Sequence, residues 1–149
     1  MTGNTNCGGA ERMGGVASGL KSIVVPISFG ELVDKITILE IKSERIQDEK
    51  KLHNIRAELG VLREIFSSQN AVPLGVKELK NELRKINEVL WDIEDRIRCC
   101  ERQNELGQEF IKLARSVYIT NDRRSSIKRQ INEIAHSAII EEKSYQPYY

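Results

Sequence analysis

The chain has 149 residues, 40% hydrophobic and 30% charged, with 23 Lys and Arg against 22 Asp and Glu for a formal charge of +1. That length suits one domain burying about two thirds of its unfolded surface, and the balanced charge gives no bulk attraction to nucleic acid or to an anionic membrane. No window approaches 18 consecutive apolar residues, so no membrane-spanning helix is expected.

Cys7, Cys99 and Cys100, with only His53 and His136 beside them, form neither a disulfide framework nor a zinc spacing. Reduced cysteines in a cytoplasmic protein without metal or cofactor are the expectation. The opening "MTGNTNCGGAERMGGVASGLKS" has no apolar core of the kind a secretory signal carries. Six of the ten glycines fall in residues 1–19, so 1–21 reads as a disordered Gly-rich tail, or as a translated leader ahead of Met13 or a later start. "GGAERMGG" follows no strand and opens no patterned helix, which argues against a phosphate loop. Residues 22–149 then form a single helical domain.

"SIVVPI" (22–27) reads as a short edge strand, because Pro26 cannot donate to a ladder. Ser28 follows as a helix N-cap, with Glu31 as its capping-box partner and Ile27 and Leu32 as a hydrophobic staple. Gly30 sits at N2, where its low helix propensity matters least. The first helix runs over about 29–46. Leu32, Val33, Ile36, Leu39 and Ile46 share one face, while Ile38 and Ile41 point elsewhere. Apolar residues on two sides imply burial between two neighbours or at a subunit interface.

The apolar phase then slips by two residues, to Leu52, Ile55, Leu59, Leu62 and Phe66. A turn at Gln47 and Asp48, with Asp48 capping a second helix over 49–66, makes an αα-hairpin; a single bent helix is the alternative. "SSQNAVPLG" (67–75) is a loop. Beyond it Val76, Leu79, Leu83, Ile86, Leu90, Ile93, Ile97 and Cys100 alternate spacings of three and four, a heptad seam of about 38 Å.

Gly107 interrupts that seam. Leu106, Phe110, Leu113 and Val117 mark a fourth helix, "YITNDRR" (118–124) a turn, and Ile127, Ile131, Ile134 and Ala138 a fifth helix capped by Thr120 or Asn121. The tail "EEKSYQPYY" holds three of the four tyrosines, aromatic surface expected to pack back on the bundle. The fold class is mainly α: a helical bundle with an αα-hairpin, one long heptad-patterned helix and two shorter C-terminal helices. The wide apolar surface of the first helix and the long seam predict a homo-oligomer formed through both.

The strongest candidate site is "LARSVYITNDRRSSIKR" (113–129), where Arg115, Arg123, Arg124, Lys128 and Arg129 face only Asp122. A helix start inside that cluster would add free N–H groups and dipole. Tyr118 and Asn121 would supply neutral hydrogen bonds, and a carboxylate, phosphate or nucleotide is the natural guest. The plainer reading is a solvated face paired with acids of the long helix. Glu40 and Ser43 are polar residues in or beside the first helix's stripe, and a buried Glu40 would have to pair or protonate. Glu133 and His136 match one half of a bundle di-iron motif, but no second half exists and His136 falls opposite the Ile127–Ile131 stripe. Cys99 and Cys100 lack a partner for nucleophilic chemistry and fit as packing beside the seam.

"VPISFGELVDKITILEIKSERI", "LARSVYITNDRRSSIKRQIN" and "EEKSY" together resemble a family of small bacterial and phage proteins of uncharacterised function, over about residues 23–146. That resemblance implies one domain and no activity. "ELVDKITILEIKSERI" is also similar to the opening helix of the all-helical chorismate mutases. It would imply Arg45 and Lys35 binding a dicarboxylate for a pericyclic rearrangement driven by electrostatics and orientation. The N-terminal extension, the 67–75 loop and the basic 118–124 segment depart from that family. Three functions follow as expectations: a helical binding or adaptor module for an anionic small molecule or partner, a small-metabolite enzyme, or a structural coiled-coil protein.

Overall fold

The computed structural model describes residues 23–69 and 72–146; the expected tail at 1–21, and Tyr148 and Tyr149, lie outside the described residues. Four helices form among them: α1 (Phe29–Arg45), α2 (Glu49–Ser67), α3 (Leu74–Gln103) and α4 (Gln108–Ile134). The protein is mainly α-helical.

Ser28 caps α1, its Oγ accepting the Glu31 N–H at 3.2 Å. Glu31 does not complete the capping box. Its carboxylate turns to Lys128 Nζ on α4, at 2.5 Å. The edge strand expected at 22–27 does not form among the described residues, where 23–28 carry no regular secondary structure and Ile23 and Val24 are about nine-tenths exposed. A lone β-branched run has nothing to pair with when every other element is a helix.

The α1–α2 turn lies where the phase slip puts it. α1 ends at Arg45 and Asp48 Oδ1 accepts the Lys51 N–H at 3.0 Å, so the two helices are separate rather than one bent rod. α1 touches each of the other three helices. Leu32, Ile36 and Leu39 pack on Ile55 and Leu59 of α2. Val33 joins Val76, Leu79 and Leu83 of α3 and Ile127 and Ile131 of α4. Of the two residues off the main α1 stripe, Ile41 is buried and Ile38 half-buried. Gly30 is needed for more than tolerance at N2. A Cβ there would lie 2.5 Å from the Lys128 carbonyl oxygen and 2.9 Å from Asn132 Oδ1, so only glycine lets α1 cross α4 this closely. Asn132 Oδ1 in turn accepts the Gly30 N–H at 2.6 Å.

α3 and α4 form a long antiparallel hairpin, about 45 Å and 40 Å at 1.5 Å per residue. Asn104, left-handed at φ 55°, ends α3, and the Glu105 N–H donates to the Cys100 carbonyl at 2.9 Å in a Schellman closure. Beyond the reach of α1 the hairpin's core thins to Ile93, Cys100 and Leu113.

The largest difference from expectation is that α4 runs unbroken through 118–124, where a turn and a fifth helix were read. No Gly or Pro occurs between Gln108 and Ile134 to stop it. Leu113, Thr120 and Ile127 are seven residues apart and all buried, so one face continues throughout. Within the stretch Thr120 is buried, Asn121, Asp122 and Arg124 are half-buried, and Tyr118 and Arg123 are exposed. A helix start inside the basic cluster is therefore absent, and the N–H groups there belong to the helical ladder. His136 lies past the end of α4 with φ 48°, so it shares no helical face with Glu133. Tyr145 is 74% exposed and does not pack back on the bundle.

Candidate functional site

A polar layer is built from three helices. Asp34 of α1 is 1% exposed and must be matched. Arg124 of α4 donates through Nε to Oδ1 at 2.9 Å and through Nη2 to Oδ2 at 2.5 Å, a two-pronged grip on one carboxylate. Asn87 of α3 spends both Nδ2 hydrogens here, on Asp34 Oδ1 at 2.9 Å and on Thr37 Oγ1 at 3.0 Å. Thr37 donates its own hydroxyl to the Asp34 carbonyl at 2.8 Å. The Asp34 carboxylate thus accepts three hydrogen bonds, which fix its orientation. The hydrogen bonds that Arg124 donates to Asp34 outweigh burial and raise the Arg124 pKa above its ordinary value.

Arg124 carries five N–H bonds. Asp34 takes two, and Asn121 Oδ1 takes a third from Nη1 over a long 3.4 Å. One N–H on each terminal nitrogen remains. Arg124 lines an open cleft of about 470 Å³ between the helices. Ile38 and Ile41 form its α1 wall; Asn87, Leu90, Trp91, Glu94, Asp95 and Arg98 form its α3 wall. The arrangement sets a positioned guanidinium beside apolar and aromatic surface, which suits a ligand with an anionic or strongly accepting end. Arg45 borders this region, hydrogen-bonded to Asp92 and 5.8 Å from the centre of the Trp91 ring.

A family model described as a family of unknown function, DUF6165, matches residues 23–148. The chain belongs to this family. No match was found among curated proteins or solved structures. In this DUF6165 chain the family region therefore contains all four helices and the cleft, while the family itself brings no assigned activity.

The residues singled out from sequence separate into inward and outward groups. Arg124 lines the cleft and donates to Asn121 one turn before it. Lys128 is buried one turn on, its Nζ between Glu31 at 2.5 Å and Glu141 at 2.8 Å. Burial would lower the Lys128 pKa, but the hydrogen bonds it donates to Glu141 and Glu31 outweigh that and raise it. Arg129 pairs with Glu133 and Glu142. The acids facing the basic segment thus come from α1, α4 and the C-terminal tail, not from α3 as the plainer reading had it. Arg123 faces solvent. Arg115 lies about 13 Å along α4 from Arg124, in a shallow depression with Gln108, Ile111, Lys112, Ser116 and Ile119. Tyr118 is 38% exposed on the same helix.

Glu40 is buried and pairs, as a buried carboxylate must, but with cations the sequence did not indicate. Arg63 of α2 and Lys80 of α3 each donate to Oε1 at 3.0 Å. Burial pushes the Glu40 carboxyl up, yet the bonds from Lys80 and Arg63 prevail and hold it below its usual range. Ser43 is half-buried and satisfied locally, donating to the Glu40 carbonyl at 2.7 Å. Lys35 pairs with Glu58 of α2, whereas Arg45 pairs with Asp92 of α3, so these two cations face different helices. Among the described residues no group of His, Cys, Asp and Glu is placed to hold a metal, and no helix is long and apolar enough to cross a membrane.

Sequence reasoning missed Asp34, Thr37, Asn87 and Trp91. A signal existed: Asp34, Ile38 and Ile41 lie at i, i+4 and i+7, so the second apolar side of α1 has a carboxylate in line with it. Asn87 likewise stands four residues after Leu83, on the buried side of α3.

Proposed function

We propose that the protein is a non-catalytic helical binding module whose cleft between α1, α3 and α4 holds a ligand by an anionic group docked on Arg124. One observation carries this reading: Asp34 grips Arg124 through Nε and Nη2, leaving an N–H on each terminal nitrogen of a side chain that lines the cleft. Asp34 acts as an orienting group. With three donors on its two oxygens it has no free role as a proton acceptor. Trp91, Leu90, Ile38 and Ile41 supply apolar surface for the ligand's body.

Titration calorimetry with a panel of carboxylates and phosphates tests the proposal. Wild type is expected to bind at least one of them, with affinity falling about tenfold in Arg124→Lys, which keeps the charge beside Asp34 but loses the planar fork. Trp91→Ala leaves the polar layer intact and is expected to weaken the same ligand through lost contact area. A ligand bound equally well by all three proteins would place the site elsewhere.

A further inference from the structure

We infer that the cleft's ligand is dipolar: an anionic end at Arg124, an apolar middle, and a cationic end about 12 Å away at Asp95. This rests on the anion-binding reading above and specifies the ligand class. The spacing comes from α3. Asn87 marks the level of Arg124, and Asp95 lies eight residues further along the same cleft wall, a rise of about 12 Å. Leu90 and Trp91 fill the interval, opposite Ile38 and Ile41. The two carboxylates at the far end are not equivalent. Glu94 holds Arg98 one turn on, Nη1 to Oε2 at 2.8 Å. Asp95 has no cation within ion-pair distance among the described residues, and the nearby Arg45 gives its hydrogen bond to Asp92. An exposed, unpaired carboxylate at one end and a guanidinium with spare donors at the other define complementary charges for one guest. A polyanion such as a nucleoside triphosphate would meet Asp95 with like charge. A long-chain amino carboxylate would satisfy both ends.

Trp91 is the only tryptophan in the chain and lines the cleft, so its fluorescence reports occupancy directly. The probes are octanoate, 8-aminooctanoate and octylamine, titrated at low ionic strength into wild type and Asp95→Asn. Both carboxylates are expected to shift the emission. The amino acid should bind about three- to fivefold tighter than octanoate despite being less hydrophobic, the advantage expected from one exposed ion pair. Asp95→Asn should abolish that advantage and leave octanoate unweakened, and 1 M NaCl should abolish the advantage in wild type. Equal or tighter binding of octanoate by wild type overturns the dipolar ligand while the anion site stands. No response to either carboxylate overturns both. Octylamine binding as tightly as 8-aminooctanoate removes the anionic end and overturns the inference.

Discussion

The same helix pair, α3 and α4, behaves as two materials along its length. Where α1 lies against it, Leu83, Val76 and Ile131 are fully buried, Asp34, Thr37 and Asn87 form a buried polar layer among them, and half-buried Arg124 closes its edge. Beyond α1, three buried residues make the core, and the crossing ion pair, Arg96 with Glu109, is more than half exposed. Burial decides what a polar contact contributes. A charge that water can reach loses little when its partner goes, whereas one sealed by a third helix must keep its partner. The covered half can therefore carry a positioned arginine, and the Arg124 end of the cleft lies there.

Removing the arginine should break this contrast most severely. Arg124→Met leaves the Asp34 carboxyl without its cation at 1% exposure, and is expected to lower unfolding stability by about 3–5 kcal/mol in urea titrations. Adding Asp34→Asn should restore much of that loss. Next come matched leucine truncations. Leu83→Ala in the three-helix core and Leu113→Ala in the bare hairpin should both fall within about 2–5 kcal/mol, with Leu83 the larger because its surroundings cannot collapse as freely.

The ion pairs of the covered half should also give a pH dependence. Glu40 is held below its ordinary 4.5, so its contribution is present above that pH and is lost as pH falls through the lowered value. Lys128 is held above its ordinary 10.5, so its contribution is present below that pH and is lost as pH rises through the raised value. Glu40→Gln should flatten the acid limb of a stability profile, and Lys128→Met the alkaline limb. The smallest effect is expected at the hairpin's tip, where Arg96→Ala should change stability by less than about 1 kcal/mol.

Local signals in this sequence stated their structure openly where a residue had one role to fill. Ser28 and Asp48 cap the helices they precede, and the slip from Ile46 to Leu52 marks a real turn. Ile38 and Ile41 pointed to a second neighbour for α1 or a subunit interface, and both line the cleft that α1 forms with α3. The reading failed where a residue type has two uses. Thr120, Asn121 and Asp122 look like turn and cap residues, but they lie within a continuous helix, where Thr120 is buried and Asn121 accepts from Arg124. Pairing across 53 or 90 residues, as for Asn87 and Arg124 with Asp34, has no local signature. Gly30 illustrates the same limit, since its need is set by the Lys128 backbone on another helix.

The most direct test of the account is the Nε–H resonance of Arg124 in a ¹⁵N–¹H spectrum, followed as octanoate is added. The account predicts a proton protected from solvent exchange by Asp34, whose resonance persists on saturation while the terminal guanidinium protons shift. An Nε–H that exchanges as rapidly as those of the exposed Arg115 and Arg123, or that is released when the carboxylate binds, would contradict it.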